Sequence, residues 1–215
     1  MMTVNCSLLS TISIVCLFFL IGCGDTKEEF LSVEPKGQTL VKNGHSINHR
    51  LAKAINESDK EAFNAALEEG ADPNAKLDNG GSPLSLSTIN FDHYYFNELL
   101  KAGGDPNLYK DSANKNLIFE VLGPDRREHL RVLLKFNPNL DVKDGVDSSP
   151  LIYAAIISNY ESMKILIEYG ADKTAVNRFG YSALDVIKDN ATRECLHNEC
   201  PLLNELKELL EKSRD

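Results

Sequence analysis

The chain has 215 residues, a net charge of −9 and 42% hydrophobic residues, which is ordinary for a globular protein. Its sequence pI of about 5.1 argues against a nucleic-acid-binding surface, because such a surface needs a basic stripe to neutralise phosphates. We therefore expect an acidic globular protein whose partners are not nucleic acids.

The amino-terminal stretch is apolar and uncharged. Residues 1–22 contain no Asp, Glu, Lys or Arg, and residues 8–21 form an apolar run that is short for a membrane span and typical of a signal peptide. The run ends in Leu20-Ile21-Gly22-Cys23, which resembles the bacterial lipobox. The resemblance implies that residues 1–22 are removed and that Cys23 is lipidated. An uncleaved anchor and a plain signal peptide are the alternatives.

A polar segment follows, with Pro35, Gly37 and no sustained periodicity. We predict that residues 23–40 are the lipidated cysteine and a flexible tether, whose reach is roughly 20–25 Å. A lipid-anchored, exported protein of this kind would lie in the bacterial envelope, facing the periplasm or the cell surface.

One short motif then recurs with spacings of 33, 34 and 33 residues, in the segments Gly70–Asn74, Gly103–Asn107, Asn137–Asp141 and Gly170–Thr174. Each copy is followed by a leucine in the same register, at Leu84, Leu117, Leu151 and Leu184, and Leu51 extends the register backwards. A period in this range indicates a solenoid of stacked repeats.

The residues between the motifs predict two helices per repeat. Ser82-Pro83 and Ser149-Pro150 are typical helix starts, because serine caps unpaired N–H groups and proline suits the first helical position. A short first helix follows, such as Leu51–Ile55, and then a longer helix with apolar residues at helical spacing. The recurring glycine ends that helix, and a polar finger loop follows.

This order of finger, helix, turn and helix resembles the ankyrin repeat over roughly residues 41–213. The resemblance implies an all-α repeat solenoid of about five helix-turn-helix repeats, at about 41–73, 74–106, 107–140, 141–173 and 174–213. The family's Thr-Pro-Leu-His becomes Ser-Pro-Leu-Ser, Lys-Asn-Leu-Ile, Ser-Pro-Leu-Ile and Ser-Ala-Leu-Asp. The histidine hydrogen bonds that tie neighbouring repeats in that family are therefore expected to be absent.

The position of a residue within its repeat predicts whether its side chain lies in the core or on the surface. We expect Phe96 in the core and Tyr94 and Tyr95 packed on a helix surface rather than in a ligand site. Ile156 and Ile157 are expected in the core, with contact to a partner as the alternative. Residues 123–128 predict the turn of the third repeat, because proline there would break a continuous helix. Arg126 and Arg127 in this turn are interpreted as solvated, with an acidic partner as the alternative.

The fifth repeat contains the two remaining cysteines, Cys195 and Cys200, in a turn predicted to span Ala191–Pro201. In an exported protein a disulfide is the default for such a pair. A metal site that also uses His197 is the alternative, and it would need a fourth ligand and reduced thiols. The last helix, 202–212, has one polar side, as a terminal repeat requires.

Motifs for catalysis are not apparent. The chain has no Gly-rich phosphate loop, no Gly-x-Ser-x-Gly and no His-Glu-x-x-His, and its five histidines are scattered among the repeats. The sequence therefore predicts a protein that is not an enzyme and holds no cofactor or metal.

The resemblance implies that a partner is contacted at the finger tips and beside the turn after each first helix. The predicted contact residues are Lys76, Tyr109, Asp111, Lys143, Val146, Val176, Arg178, Phe179 and Tyr181. Aromatic residues beside arginine have the composition of interface hot spots. The alternative is that Phe179 and Tyr181 pack on the fifth repeat and its cysteine loop.

These observations predict a membrane-tethered, non-enzymatic protein-binding scaffold of the bacterial envelope. The first hypothesis is an immunity protein that neutralises a basic secreted toxin, since acidic charge would accelerate the encounter. The second is an adaptor or chaperone for a resident envelope enzyme, of the catalase-associated type. A hydrolase with an unrecognised site is the third.

Overall fold

A computed structural model describes residues 40–110, 115–194 and 201–212. The predicted signal peptide, Cys23 and the tether as far as residue 39 lie outside these residues. No helix among the described residues is long and apolar enough to cross a membrane. The helices are α1 (Leu40–Glu57), α2 (Lys60–Glu68), α3 (Pro83–Ser87), α4 (His93–Lys101), α5 (Leu117–Glu120), α6 (Arg127–Leu134), α7 (Pro150–Ile156), α8 (Tyr160–Glu168), α9 (Ala183–Glu194) and α10 (Pro201–Glu211). The strands are β1 (Tyr109–Lys110) and β2 (Lys115–Asn116).

The described helices follow one another in pairs and pack in two layers. In one layer α1 contacts α3, and α7 contacts both α5 and α9; in the other, α4, α6, α8 and α10 pack in succession. The core lies between the layers and contains the fully buried side chains of Phe63, Tyr95, Phe96 and Phe119. This arrangement agrees with the predicted all-α repeat class.

Local capping explains where the helices begin and end. The Ser82 hydroxyl accepts a hydrogen bond from the Ser85 amide at 3.0 Å, directly before Pro83, which confirms the predicted helix start. The glycines after α2, α4 and α8 have φ angles of 90°, 96° and 86° (Gly70, Gly103 and Gly170). Their left-handed backbone ends each helix, as predicted, because only glycine adopts it without a steric cost.

The first helix is longer than the sequence predicted. Instead of a short segment at Leu51–Ile55, α1 runs unbroken for 18 residues from Leu40 to Glu57. Ile47 packs against the core ahead of Leu51, so the helical spacing of apolar residues continues backwards beyond the repeat register. The predicted short first helix is therefore wrong in its length.

The turn predicted at Ala191–Pro201 begins too early, whereas its predicted end agrees with the start of α10 within one residue. Helix α9 continues to Glu194 and α10 already begins at Pro201, the first helical position that proline tolerates best. In α10 the buried residues Leu203, Leu206 and Leu210 share one side, which confirms the predicted terminal helix. Cys195, His197 and Cys200 lie outside the described residues.

Three hydrophobic side chains are placed differently from the prediction. Tyr95, expected on the helix surface, is fully buried, because its ring packs edge-on against Phe63 of the preceding helix pair at a centroid distance of 5.0 Å. Phe96 is buried as predicted. Ile156 and Ile157, expected in the core, remain 47% and 39% exposed, because they flank the turn after α7 rather than its buried face.

Asparagine side chains connect successive repeats where the family histidine is missing. The Asn48 side-chain oxygen accepts from the Asp72 amide at 2.8 Å, and Asn107 accepts from the Asn139 amide at 2.7 Å. Asn74 binds the next repeat twice: its oxygen accepts from the Asp105 amide at 2.8 Å, and its amide donates to the Gly103 carbonyl at 3.0 Å. The repeats are therefore tied by a ladder of amide side chains.

Replacing Asn74 with alanine is expected to lower the free energy of unfolding by about 2 kcal/mol, because two bridging hydrogen bonds are lost. Urea unfolding followed by circular dichroism measures this difference. Asn56→Ala is the matched control, since Asn56 is exposed on α1, and we expect it to change stability by less than about 0.5 kcal/mol. Equal stability of the two variants would contradict the role of the ladder.

Candidate protein-binding surface

Fingers four and five are each held in shape by a polar side chain at an equivalent position. In finger five (residues 175–182) Asn177 is buried, and its side-chain oxygen accepts from the amides of Phe179 at 3.0 Å and Tyr181 at 3.1 Å. The backbone of Val176 bridges to Ser182 and closes the loop. The backbone that carries the two aromatic residues is thus fixed from within.

Finger four (residues 142–148) uses an aspartate in the same way. The Asp144 carboxylate accepts from the amides of Val146 at 2.9 Å and Ser148 at 2.8 Å, and the Asp144 amide donates to the Ser148 carbonyl. Asp147 at its tip has a φ angle of 62°, which corresponds to Gly180 in finger five with a φ of 79°. Two different residues therefore produce one loop conformation.

Fingers four and five are joined to each other. The Arg178 amide donates to the Val146 carbonyl at 3.1 Å, and the Arg178 Nε lies 3.3 Å from Asp147 Oδ2. Hydrogen bonds from Thr174 hold the pKa of Asp172 below its usual value, and the charge of Lys143 acts in the same direction. Residues from both fingers thus form one continuous surface, which we call the finger patch: Lys143, Val146, Val176, Arg178, Phe179 and Tyr181.

The apolar side chains of this patch face solvent. The exposed fractions are 51% for Val176, 65% for Phe179 and 55% for Tyr181, and Val146 is half-buried. Phe179 and Tyr181 therefore remain largely exposed, and the described residues of the fifth repeat do not cover them. Lys143 and Arg178 are exposed beside them, so the patch combines aromatic, aliphatic and cationic groups.

Lys76 and Tyr109 lie together at another position along the fingers. Both line a small cavity of about 90 Å³ between finger two (residues 75–81) and the start of β1. Tyr109 pairs with Asn116 of β2 in an antiparallel register and is still 46% exposed. The predicted contact residue Asp111 lies outside the described residues.

Two further exposed residues lie beside the turn after a first helix, where the resemblance implies contact with a partner; Ile89 holds such a predicted position, whereas Phe91 was not predicted. Ile89 is 62% and Phe91 is 80% exposed, and both lie in the turn between α3 and α4.

The prediction that Arg126 is solvated is wrong: its Nη2 donates to the Ile89 carbonyl at 2.8 Å, and its guanidinium stacks on Phe91 at 4.7 Å from the ring centroid. Arg127 instead forms an ion pair with Glu161.

The described residues offer exposed apolar groups on loops that internal hydrogen bonds hold in one conformation. Within the described ranges, no group of three or more His, Cys, Asp or Glu side chains could hold a metal ion. Rigid loops lower the ordering cost of binding, and exposed aromatic residues supply contact area. The arrangement defines a helical-repeat scaffold suited to holding another macromolecule.

Comparison with known proteins gives the class of repeat. Residues 147–178, from the tip of finger four to Arg178, match the family model of the ankyrin repeat. A protein of Rickettsia bellii (strain RML369-C), named as an ankyrin repeat protein, is 37% identical over 59 residues. That alignment covers 27% of this chain and 35% of the relative, so the chain spans about a third of the relative's length. Ankyrin repeats are in general non-enzymatic and point to a protein–protein interaction scaffold.

Proposed function

We propose that the chain is a membrane-tethered scaffold of the bacterial envelope that binds a protein partner through the finger patch. The observation that carries the proposal is the exposure of Val176, Phe179 and Tyr181 on loops fixed by internal hydrogen bonds. Exposed aromatic residues at this density are costly for solubility and are typical of interfaces. Asn177 holds their backbone in place before any partner arrives.

The partner proposed first is a basic secreted toxin, which would make the chain an immunity protein. The net charge of −9, which belongs to the whole chain and not to the finger patch, supports this choice, since opposite charge steers a basic protein toward the scaffold and raises the association rate. The aromatic residues of the patch would then slow dissociation. A resident envelope enzyme in place of a toxin would make the chain an adaptor or chaperone.

A comparative pull-down tests the finger patch. Wild type, a Phe179→Ser/Tyr181→Ser variant and a Tyr169→Ser variant would each be incubated with envelope extract and with secreted proteins. Tyr169 is the matched control because it is 45% exposed at the end of α8 and is not part of the finger patch. We expect a partner that wild type and Tyr169→Ser retain and the finger variant loses. Equal retention by all three proteins would move the contact surface elsewhere.

The membrane anchor is tested separately. Cys23 follows a sequence that resembles the lipobox, and we propose that acyl chains on this cysteine hold the protein on a membrane. Replacing Cys23 with serine is expected to shift the protein from the membrane pellet to the soluble fraction after ultracentrifugation. A Cys16→Ser variant is the control, since it leaves the cysteine of the lipobox unchanged. Retention of the Cys23→Ser protein in the pellet would contradict the anchor.

A disulfide between Cys195 and Cys200 completes the proposal. An exported protein meets an oxidising compartment, where such a neighbouring pair is expected to be oxidised. Titration of free thiols in protein purified from the envelope should then find neither of these two cysteines reactive. Two reactive thiols at these positions would exclude the disulfide.

A further inference from the structure

The chain contains two Asn-Gly pairs, Asn43-Gly44 and Asn79-Gly80, which lie in different secondary structure. An asparagine before a glycine is chemically labile, because the glycine amide nitrogen can attack the side-chain carbonyl carbon of the asparagine. Glycine eases this attack, since it has no side chain to obstruct its nitrogen and adopts many backbone conformations. The structure around each pair therefore decides whether the pair reacts.

The pair Asn43-Gly44 is held in a helix. Both residues lie in α1, which runs unbroken from Leu40 to Glu57. In an α-helix each backbone N–H is bound to the carbonyl four residues earlier, so the Gly44 nitrogen belongs to the helical ladder. Helix formation is cooperative, and the attack at this pair therefore requires local unwinding of α1.

The pair Asn79-Gly80 lies at the tip of finger two instead. Two backbone hydrogen bonds close this finger, from Gly80 to the Leu77 carbonyl at 2.9 Å and from Leu77 to the Gly81 carbonyl at 2.8 Å. Beyond its chain neighbours, no heavy atom of the described residues lies within 4 Å of the position that a Cβ would take at Gly80. Releasing the Gly80 amide breaks one hydrogen bond of an open turn, whose net stabilisation is modest.

The side chain of Asn79 is arranged to favour the same reaction. Its oxygen accepts a hydrogen bond from the Gly81 amide at 3.0 Å, and its Nδ2 donates to no described residue. The Gly81 amide polarises the side-chain carbonyl and stabilises the negative charge that develops on its oxygen during the attack, as a donor of an oxyanion hole does. Because Asn79 is exposed, the nitrogen that has to leave is free to pass into solvent.

From these contacts we infer that Asn79 is a site of spontaneous deamidation. The Gly80 nitrogen loses its proton and bonds to Asn79 Cγ, and the Cγ–Nδ2 bond breaks, so that ammonia leaves and a cyclic imide remains. Water then adds to either carbonyl carbon of the imide, and the bond from that carbon to the Gly80 nitrogen breaks as the nitrogen regains a proton. The products are aspartate, linked through the original backbone, and isoaspartate, linked through the side-chain carbon.

Deamidation changes a region that contains predicted contact residues. Gly80 and Gly81 line the same small cavity as Lys76 and Tyr109, so either product adds a negative charge close to these two side chains. Isoaspartate also lengthens the main chain by one carbon, which disturbs the two hydrogen bonds that close finger two. The deamidated chain therefore presents finger two with altered charge and shape.

Incubation of the folded full chain in mildly alkaline buffer, followed by peptide mapping with mass spectrometry, tests the site. Isoaspartate is detected independently by labelling with protein isoaspartyl methyltransferase. We expect the Asn79 peptide to convert to aspartate and isoaspartate roughly tenfold or more faster than the Asn43 peptide, because opening a turn costs less than unwinding a helix. Conversion should be slower in acidic buffer, since the attacking nitrogen must lose its proton. An unchanged Asn79 peptide, or equal rates at the two pairs, would overturn the inference.

Denaturant and an Asn79→Gln variant provide the controls. In guanidinium chloride the two pairs are expected to convert at similar rates, because the helix that protects Asn43 is absent. Glutamine at position 79 places the carbonyl carbon one methylene further along the side chain, so the favoured imide does not form. We expect this variant to lose the isoaspartate label at finger two and to leave the Asn43 peptide as in wild type. A label at finger two that persists in the variant, or a preference for Asn79 that persists in denaturant, would contradict the inference.

Discussion

Replacing Phe96 with alanine is expected to lower the free energy of unfolding by about 3–5 kcal/mol, because the large side chain is fully buried. The Phe96 ring lies on α4 and packs against His129 of α6 at a centroid distance of 5.5 Å. The substitution therefore leaves a cavity between two successive helix pairs. A repeat protein depends on such interfaces between neighbours, so the loss affects the whole stack.

The matched control is Phe91→Ala, five positions earlier in the chain. Phe91 is 80% exposed, and its truncation removes only the stacking of Arg126, which contributes about 0.5–1 kcal/mol. Urea unfolding of both variants, followed by circular dichroism, measures the difference. Similar destabilisation by the two substitutions would contradict the placement of Phe96 in the core and Phe91 on the surface.

Acidification from pH 7 to pH 5 is expected to remove about 2 kcal/mol of stability through His129 alone. Burial lowers the pKa of His129 to about 4, and the positive charge of Arg126 acts in the same direction. The ordinary pKa of histidine, about 6.5, applies to the unfolded chain. Between these two values the unfolded state binds a proton that the folded state does not, so stability falls as the pH drops from about 6.5 toward 4.

The comparison that isolates His129 is a His129→Leu variant. Between pH 7 and pH 5 the free energy of unfolding should fall less in the variant than in wild type, because the variant lacks the His129 contribution. His93→Gln is the comparison, because His93 is exposed on α4 and its charge is a smaller cause of the lowered His129 pKa than burial. It should keep most of the wild-type pH dependence. If His129→Leu loses as much unfolding free energy as wild type between pH 7 and pH 5, this histidine is not buried in its neutral form.

The recurring motifs predicted the elements that depend on local capping. Ser82, Ser149 and the glycines after the second helices act through neighbouring backbone groups, so their roles are visible in the sequence. The burial of Tyr95 and the length of α1 depend on contacts with other helices. Tyr95 is buried because Phe63 of the preceding pair lies against it, and no register within one repeat contains that information.

The candidate site was predicted only in part for the same reason. Finger positions recur with the period, so the exposed residues Tyr109, Val176, Phe179 and Tyr181 could be selected from the sequence. The ion pair between Arg178 and Asp147 joins residues that are 31 positions apart. The hydrogen bond from Arg126 to the Ile89 carbonyl of the preceding turn joins residues that are 37 positions apart. Neither contact follows from the register of a single repeat. The repeated Asp144 and Asn177, three residues before each left-handed tip, are the signal that could have revealed the rigid fingers.

Site-specific photo-crosslinking in living cells shows whether a protein partner binds the finger patch. A photoreactive phenylalanine analogue would replace Phe179, Tyr181 or, as the control, Tyr169, and adducts would be detected by immunoblotting and identified by mass spectrometry. We expect one discrete adduct from positions 179 and 181 and none from position 169. Adducts from position 169 alone, or no adduct from either finger position, would contradict it.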